Sequence, residues 1–119
     1  MNLIVSGRKG YSSYEIGGDP DYLLEDMIEA IGCDVPEEFE LGEIQTVDVD
    51  REAVICTVHA FADAEAQENR KLYRKKFDTS EGEETIVGPF IVFCKDSVSG
   101  YVTDIDVGTV LKYLQSIEK

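Results

Sequence analysis

The run Thr85–Cys94 constrains the fold more than any other stretch of this 119-residue chain. It reads TIVGPFIVFC, the most apolar run in the sequence, and polar segments bound it on both sides. Short runs of β-branched and aromatic residues between loops are typical of buried strands. Because Pro89 has no N–H for a sheet ladder, Gly88-Pro89 predicts a bulge, a bend, or a strand that begins at Phe90. We therefore expect a buried strand at the centre of the fold.

The rest of the chain mixes strand and helix patterns without the regularity of βαβ units. Two antiparallel pairs are predicted, Asn2–Ser6 with Tyr11–Ile16, and Glu43–Val49 with Glu52–Phe61 through a turn near Asp50-Arg51. The apolar second member of the later pair predicts a central strand. A last helix is predicted over Ile105–Ile117, capped by Thr103 or Asp104. This order predicts one α+β domain over residues 1–119, a mainly antiparallel sheet with two to three helices packed on it.

Asp19–Gly32 has the clearest helix pattern. Asp19 suits the N-cap, Pro20 suits the first helical position, and Gly32 ends the helix as a left-handed cap would. One face is apolar, with Leu23, Leu24, Met27, Ile28 and Ile31. The opposite face carries only acids, namely Asp21, Glu25, Asp26 and Glu29.

Three segments have weaker patterns. Cys33–Gly42 reads CDVPEEFELG, and its proline and glutamates predict a connector. Ala62–Phe77 has good helix formers but weak apolar periodicity, so it predicts either a helix or a long exposed loop. Asp78–Glu84 predicts a loop.

The chain is strongly acidic, with 25 Asp and Glu residues against 11 Lys and Arg residues and a formal net charge of −14. Such a field repels nucleic acid and anionic membranes, and it speeds encounters with basic partners. No run approaches the ~18 consecutive apolar residues of a membrane span, and the N-terminal segment lacks the features of a signal peptide. We therefore expect a soluble, cytoplasmic protein that binds neither membranes nor nucleic acid directly.

The three cysteines, Cys33, Cys56 and Cys94, have no paired spacing, which predicts buried thiols in a reducing compartment. Cys56 and His59 are the only close Cys/His pair. Residues three apart in a strand face opposite sides, so this pair is not expected to share a metal ion.

Asp48, Asp50 and Glu52 resemble the start of a calcium loop. Ala53 and His59 stand where that loop needs glycine and glutamate, so a calcium-binding hand is not expected. The single histidine lies in an apolar strand pattern, with no nucleophile motif beside it. We predict no catalytic residue, metal or cofactor.

Charge is distributed unevenly along the chain. Between Gly10 and Asn69 there are seventeen acidic residues and one basic residue, and five basic residues then fall within positions 70–76. An acidic helix face followed by PEEFELGE would imitate nucleic-acid phosphates against the basic groove of a nucleic-acid-binding protein. The predicted partner-binding residues are Glu25, Asp26, Glu29, Glu37, Glu38, Glu40, Glu43, Arg70, Lys71 and Arg74.

Asn69-Arg70, followed by Ile86–Val92 (IVGPFIV), resembles an uncharacterised family of small domains from phages, plasmids and other bacterial mobile elements. Members of that family run strand, helix, hairpin, Asn-Arg, an I-x-G-T/P-F strand and a C-terminal helix. This chain departs from the pattern at Gly32-Cys33, where the family tends to have Gly-Gly, and its acidic connector is longer. The family has no assigned activity, so the resemblance implies only a setting in mobile DNA, where small acidic proteins often inhibit host defence complexes.

These observations favour a non-enzymatic, acidic protein-binding module. Its most specific form is an inhibitor of a nucleic-acid-handling host complex, such as a CRISPR nuclease or a restriction enzyme, acting by nucleic-acid mimicry. Two alternatives stay open: a regulatory or ligand-sequestering module, and a divalent-dependent enzyme. A third interpretation is that the acidity serves only solubility.

Overall fold

β-Strands dominate the computed structural model, which describes residues 1–17, 19, 21–47, 52–69 and 71–119. The elements in these ranges are β1 (Asn2–Gly7), β2 (Gly10–Glu15), α1 (Leu23–Ile31), β3 (Pro36–Val47), β4 (Ala53–Asp63), a 3-10 turn (Glu65–Glu68), β5 (Arg74–Thr79), β6 (Gly82–Val87), β7 (Phe90–Asp96), β8 (Val102–Thr103) and α2 (Val107–Ile117). The structure is mainly antiparallel sheet with two helices packed against it, so the predicted α+β class is confirmed.

Strand β7 lies at the centre of the main sheet, whose order is β2-β1-β7-β4-β3, with β8 also paired to β7. Its side chains from Phe90 to Cys94 are all buried. The strand begins directly after Gly88-Pro89, which is the third of the predicted alternatives. Gly88 has a φ of 78° and donates its N–H to the carbonyl of Tyr73 at 2.8 Å. The apolar run is therefore two strands, because β6 ends at Val87 and pairs with β5 in a separate hairpin.

The main sheet has two faces, which we name after the helices that cover them. The α2 face packs against α2 and the β5–β6 hairpin, and its core includes Ile4, Leu41, Val58, Ala60, Phe77, Ile86, Phe90, Val92, Val110 and Leu114. The α1 face packs against α1, and its buried core is Leu3, Ile16, Met27, Ile91 and Phe93. Side chains alternate between the two faces along each strand.

Both predicted hairpins are confirmed where the structure describes them. β1 and β2 pair in register from Asn2 with Glu15 to Gly7 with Gly10. β3 pairs with β4, and β4 lies between β3 and β7, as expected of a central strand. The predicted turn at Asp50-Arg51 and the acids Asp48 and Asp50 lie outside the described residues.

Helix α1 ends as predicted but begins later. Gly32 follows it in the left-handed conformation, with φ of 68°. The helix begins at Leu23, and Asp19 does not cap it, because the Asp19 carboxylate accepts the N–H of Asp21 at 3.0 Å instead. Pro20 lies outside the described residues.

Helix α2 also begins later than predicted, at Val107, with Asp106 at its N-cap position. Asp104 does not cap it, because its Oδ1 atom accepts the backbone N–H of Asn2 at 2.8 Å and that of Ile105 at 3.1 Å. Neither of the helices in the described residues is long and apolar enough to cross a membrane.

The predicted connector Cys33–Gly42 is wrong from Pro36 onward, where β3 begins. Phe39 and Leu41 are buried and alternate with exposed glutamates, which is the period of a strand with one covered face. β3 is an edge strand of the sheet. Proline and charged side chains are tolerated at such an edge, so they did not indicate a loop here.

The predicted helix or exposed loop at Ala62–Phe77 is wrong at both ends, where β4 extends to Asp63 and β5 begins at Arg74, whereas the described residues between them form a 3-10 turn and irregular chain. The predicted loop at Asp78–Glu84 is also wrong, because β5 and β6 pair around a turn at Ser80-Glu81. Gln67 secures the hairpin, because its side chain donates to the carbonyls of Asp63 and Val87 and accepts the N–H of Val87, all at 2.9–3.0 Å. Pairing with β6 thus outweighs local helix propensity.

Candidate protein-binding surface

Three glutamates of β3 form a row along the edge of the α1 face. Directly opposed residues of an antiparallel pair share a face. The register sets Glu38 opposite Phe61, Glu40 opposite His59 and Glu43 opposite Thr57. All three glutamates are exposed. We name Glu38, Glu40 and Glu43 the acidic row.

A β-bulge at Leu41 keeps the acidic row on one face. Glu40 and Gly42 are opposite consecutive residues of β4, so Leu41 is an extra residue. Because of it, both Leu41 and Ile44 reach the core of the α2 face while Glu43 stays on the α1 face.

Glycine is required at this bulge. Gly42 has a φ of 121°, which L side chains rarely adopt, and a Cβ atom there would overlap the hydroxyl of Tyr113. That hydroxyl donates to the carbonyl of Leu41 at 2.7 Å. Contact between α2 and the bulge thus fixes the register of β3.

A half-buried polar cluster lies beside the acidic row. The ring of His59 stacks on Phe93 with centroids 5.5 Å apart, and Lys95 donates to Glu38 at 2.9 Å. The Nδ1 atom of His59 lies 3.3 Å from Glu38 Oε1, but the geometry is not that of a hydrogen bond, and this buried atom has no hydrogen-bond partner among the described residues. Lys95 therefore neutralises part of the charge of the acidic row.

The imidazole of His59 is neutral at pH 7. Burial lowers its pKa below the ordinary value of 6.5, and Lys95 lowers it further, whereas Glu38 and Glu40 raise it by a smaller amount. Within the part of the chain that the structure describes, the acidic row consequently has Lys95 as a fixed cation and His59 as a neutral ring beside it. Glu40 and Glu43 take part in none of the ion pairs found in the described residues.

Glu37 is separated from the acidic row, because it is opposite Ala62 and so points to the α2 face. There it lines a cleft of about 480 Å³ with Arg74, Lys76 and Gln67, among other residues. The structure therefore brings the predicted residues Glu37 and Arg74 together, away from the other β3 glutamates.

The predicted basic residues do not form one patch. Lys71 is exposed in the turn after Asn69, and its N–H donates to the Asn69 side chain at 3.0 Å. Arg70 lies outside the described residues. Lys75 points the other way from Arg74 along β5 and pairs with Glu118 at 3.0 Å. At least one cation of this stretch thus balances an acid of the chain itself.

The acids of α1 form a second, separate group. Glu25 and Glu29 are exposed, and Asp26 is half-buried. Asp26 and Glu29 line a cleft with the end of β2 and the residues after it. Helix α1 packs over β4 and β7, and β4 is the neighbour of β3 in the sheet. The α1 acids and the acidic row therefore lie on the same face of the sheet, but on different elements.

The cysteines are buried free thiols, as predicted. Burial raises the pKa of Cys94 to about 12 and also raises those of Cys33 and Cys56, so all three stay protonated at neutral pH. Cys56 and His59 face opposite sides of β4, also as predicted. Among the described residues, no three His, Cys, Asp or Glu side chains converge as metal ligands would.

His59, Phe93 and Lys95 share the surface of the acidic row, and sequence reasoning did not single them out for binding. The signal was available in the strand alternation. Glu38 and Glu40 alternate with Phe39 and Leu41, and the same alternation in β4 places Thr57 and His59 beside them.

Comparison with protein families, with curated proteins and with solved structures finds no match for this chain.

Proposed function

We propose that this chain is a non-enzymatic module that binds the basic surface of another protein through the acidic row. The observation that carries the proposal is the placement of Glu38, Glu40 and Glu43 on one face of an edge strand. The bulge beside Gly42 keeps Glu43 on the same face as Glu38 and Glu40, because in a regular strand Glu43 would point toward the core. A row that served only solubility would not need this arrangement.

Charge supports a basic partner. The formal net charge of −14 attracts cationic surfaces over a distance of about one Debye length, roughly 8 Å at physiological salt. Glu40 and Glu43 are exposed and without an ion pair in the described residues, so they are the members of the row best placed to bind. Glu38 shares its charge with Lys95.

The finer proposal is that the partner is a nucleic-acid-handling host protein, such as a CRISPR nuclease or a restriction enzyme, inhibited in the cytoplasm. Alternate residues of a strand are roughly 6.7 Å apart, whereas phosphates of one DNA strand follow each other every ~3.4 Å along the axis. The acidic row thus repeats negative charge at intervals of the same order as the phosphates of a nucleic-acid strand. The resemblance to a mobile-element family supplies the setting for this proposal.

Charge reversal on the acidic row tests the function. We expect immobilised wild-type protein to capture a basic protein from a bacterial lysate and to release it at moderate salt. Glu40→Lys/Glu43→Lys should reduce that capture roughly tenfold or more, because two attractive contacts become repulsive. Duplex DNA added to the lysate should compete with the wild-type protein if the partner uses a nucleic-acid groove.

The matched control is Glu65→Lys/Glu68→Lys, which changes the net charge equally at two exposed residues of the 3-10 turn. It should retain capture. If both variants lost capture equally, net charge alone would explain the effect. Full capture by Glu40→Lys/Glu43→Lys would refute the proposal. Comparison with Glu25→Lys/Glu29→Lys would show whether the α1 acids take part.

A further inference from the structure

The two edge strands of the main sheet differ in how well they are protected against pairing with a strand of another molecule. β3 carries four glutamates, a proline and a bulge, the devices by which proteins discourage edge-to-edge pairing. β2 reads GYSSYE, and its only charged residue is the terminal Glu15. Ser12, Ser13, Tyr14 and Glu15 are all exposed.

Alternate backbone N–H and C=O groups of an edge strand point away from its neighbour and can pair with another strand. We propose that β2 pairs antiparallel with β2 of a second copy of this chain, forming a dimer with one continuous sheet. This proposal goes beyond the acidic row, because β2 and β3 are opposite edges and the dimer leaves both copies of β3 uncovered.

Charge complementarity favours a second copy of the chain as the partner of β2 and sets the register of the β2–β2 pair. Opposed residues of an antiparallel pair share a face, so a strand that pairs with its own copy about a two-fold axis sets one residue opposite itself. With Ser12 at that position, Gly10 is opposite Tyr14 of the second copy, and Lys9, in the turn directly before β2, comes next to Glu15 at the end of the second copy's strand. Lys9 and Glu15 are both exposed, and the pair occurs twice in the dimer.

The aromatic contact agrees with the same register. Tyr14 is 41% exposed, and in the dimer its ring would lie across Gly10, where no side chain competes for space. Tyr11 remains free to keep its contacts within the chain, since its ring packs on Phe90 and lies under Lys75.

Sedimentation of the full chain over a concentration series tests the proposal. We expect a monomer–dimer equilibrium for the wild type. Lys9→Glu and Glu15→Lys should each raise the dissociation constant roughly tenfold, because each replaces two attractive cross-strand pairs by two repulsive ones. Lys9→Glu/Glu15→Lys should restore it. Amides of β2 should gain protection from hydrogen exchange as the concentration rises.

The matched control is Lys112→Glu, an equal charge change at an exposed residue of α2. It should leave the dissociation constant unchanged, as should Glu40→Lys/Glu43→Lys, which separates this proposal from the acidic row. A monomer at every concentration overturns the proposal, and protection of β2 by an added lysine-rich peptide would then identify a basic peptide as the occupant. Self-association that Glu15→Lys strengthens and Lys112→Glu weakens also overturns it, because net charge would then explain both effects.

Discussion

The two faces of the central sheet differ in how they are covered. On the α2 face, one helix and a β-hairpin both pack on the sheet, and Phe77, Phe90 and Leu114 are fully buried. On the α1 face the sheet is covered by α1, a helix of nine residues. Of the described residues of that helix, Met27 is the one that is buried. Hydrophobic burial per residue sets most of a domain's stability. The α2 face should therefore hold the fold together, whereas the α1 face presents polar groups to a partner.

Substitution of one phenylalanine on each face tests this difference with the largest expected effect. Phe90 is fully buried and packs edge-on against Phe77, with centroids 6.0 Å apart. Phe90→Ala should lower the free energy of unfolding by about 3–5 kcal/mol, the usual loss for a buried aromatic side chain. Urea denaturation, read from the midpoint at constant slope, measures it.

The counterpart on the α1 face is Phe61, which is half-buried and contacts the ring of Phe93 at 4.7 Å. Less area is lost there, so Phe61→Ala should cost about 1–2 kcal/mol. Equal losses for Phe61→Ala and Phe90→Ala would contradict the difference between the faces.

The bulge that assigns β3 side chains to the two faces should be the next most sensitive point. Gly42→Ala places a Cβ atom against the Tyr113 hydroxyl and strains a φ of 121°. We expect a loss of roughly 2–4 kcal/mol, from backbone strain together with the broken hydrogen bond to Leu41. Tyr113→Phe keeps the glycine and removes the hydrogen bond alone, so it should cost about 0.5–1.5 kcal/mol.

Thermal and urea unfolding of the two variants separate these contributions. If Gly42→Ala lost no more than Tyr113→Phe, the glycine would not be required, and the bulge would not fix which face Glu43 occupies. Capture of the partner should fall with Gly42→Ala more than with Tyr113→Phe, because a change of register moves the acidic row.

The sequence was sufficient for the parts of the fold that depend on strongly periodic segments. The N-terminal hairpin, the central strand β4 and the division at Gly88-Pro89 follow from alternation and from proline's missing N–H. The starts of both helices were misplaced because Asp19 and Asp104 bind other backbone N–H groups. Which N–H group a carboxylate binds depends on the conformation of the folded chain around it, and a local sequence pattern does not specify that conformation.

The candidate surface was harder to predict than the fold. Glutamates and Pro36 have low strand propensity, and only pairing with β4 makes Pro36–Val47 a strand. Glu37 could have been separated from Glu38 by strand alternation alone. The position of the α1 acids relative to β3 could not, because it depends on how α1 packs over β4 and β7.

The smallest expected effect is a pH dependence that comes from the α1 face. The pKa of His59 is lowered mainly by burial, and the charged groups that shift it lie on β3 (Glu38 and Glu40) and β7 (Lys95). The unfolded chain therefore takes up the proton more readily than the folded one. Stability contributed by the neutral ring is complete above the ordinary pKa of 6.5 and is lost as the pH falls below it.

Urea unfolding of wild type and His59→Gln between about pH 8 and pH 5 isolates this contribution, since glutamine does not titrate there and both chains share every carboxylate. The wild type should be destabilised more steeply than His59→Gln as the pH falls. Lys95→Gln should reduce the difference between the two slopes, because loss of the Lys95 charge brings the pKa of His59 back toward 6.5, whereas Glu40→Gln should increase it. Parallel pH profiles for wild type and His59→Gln would mean that the ring is open to solvent, and hence that the α1 face is even less covered beside the acidic row than its contacts with Phe93 indicate.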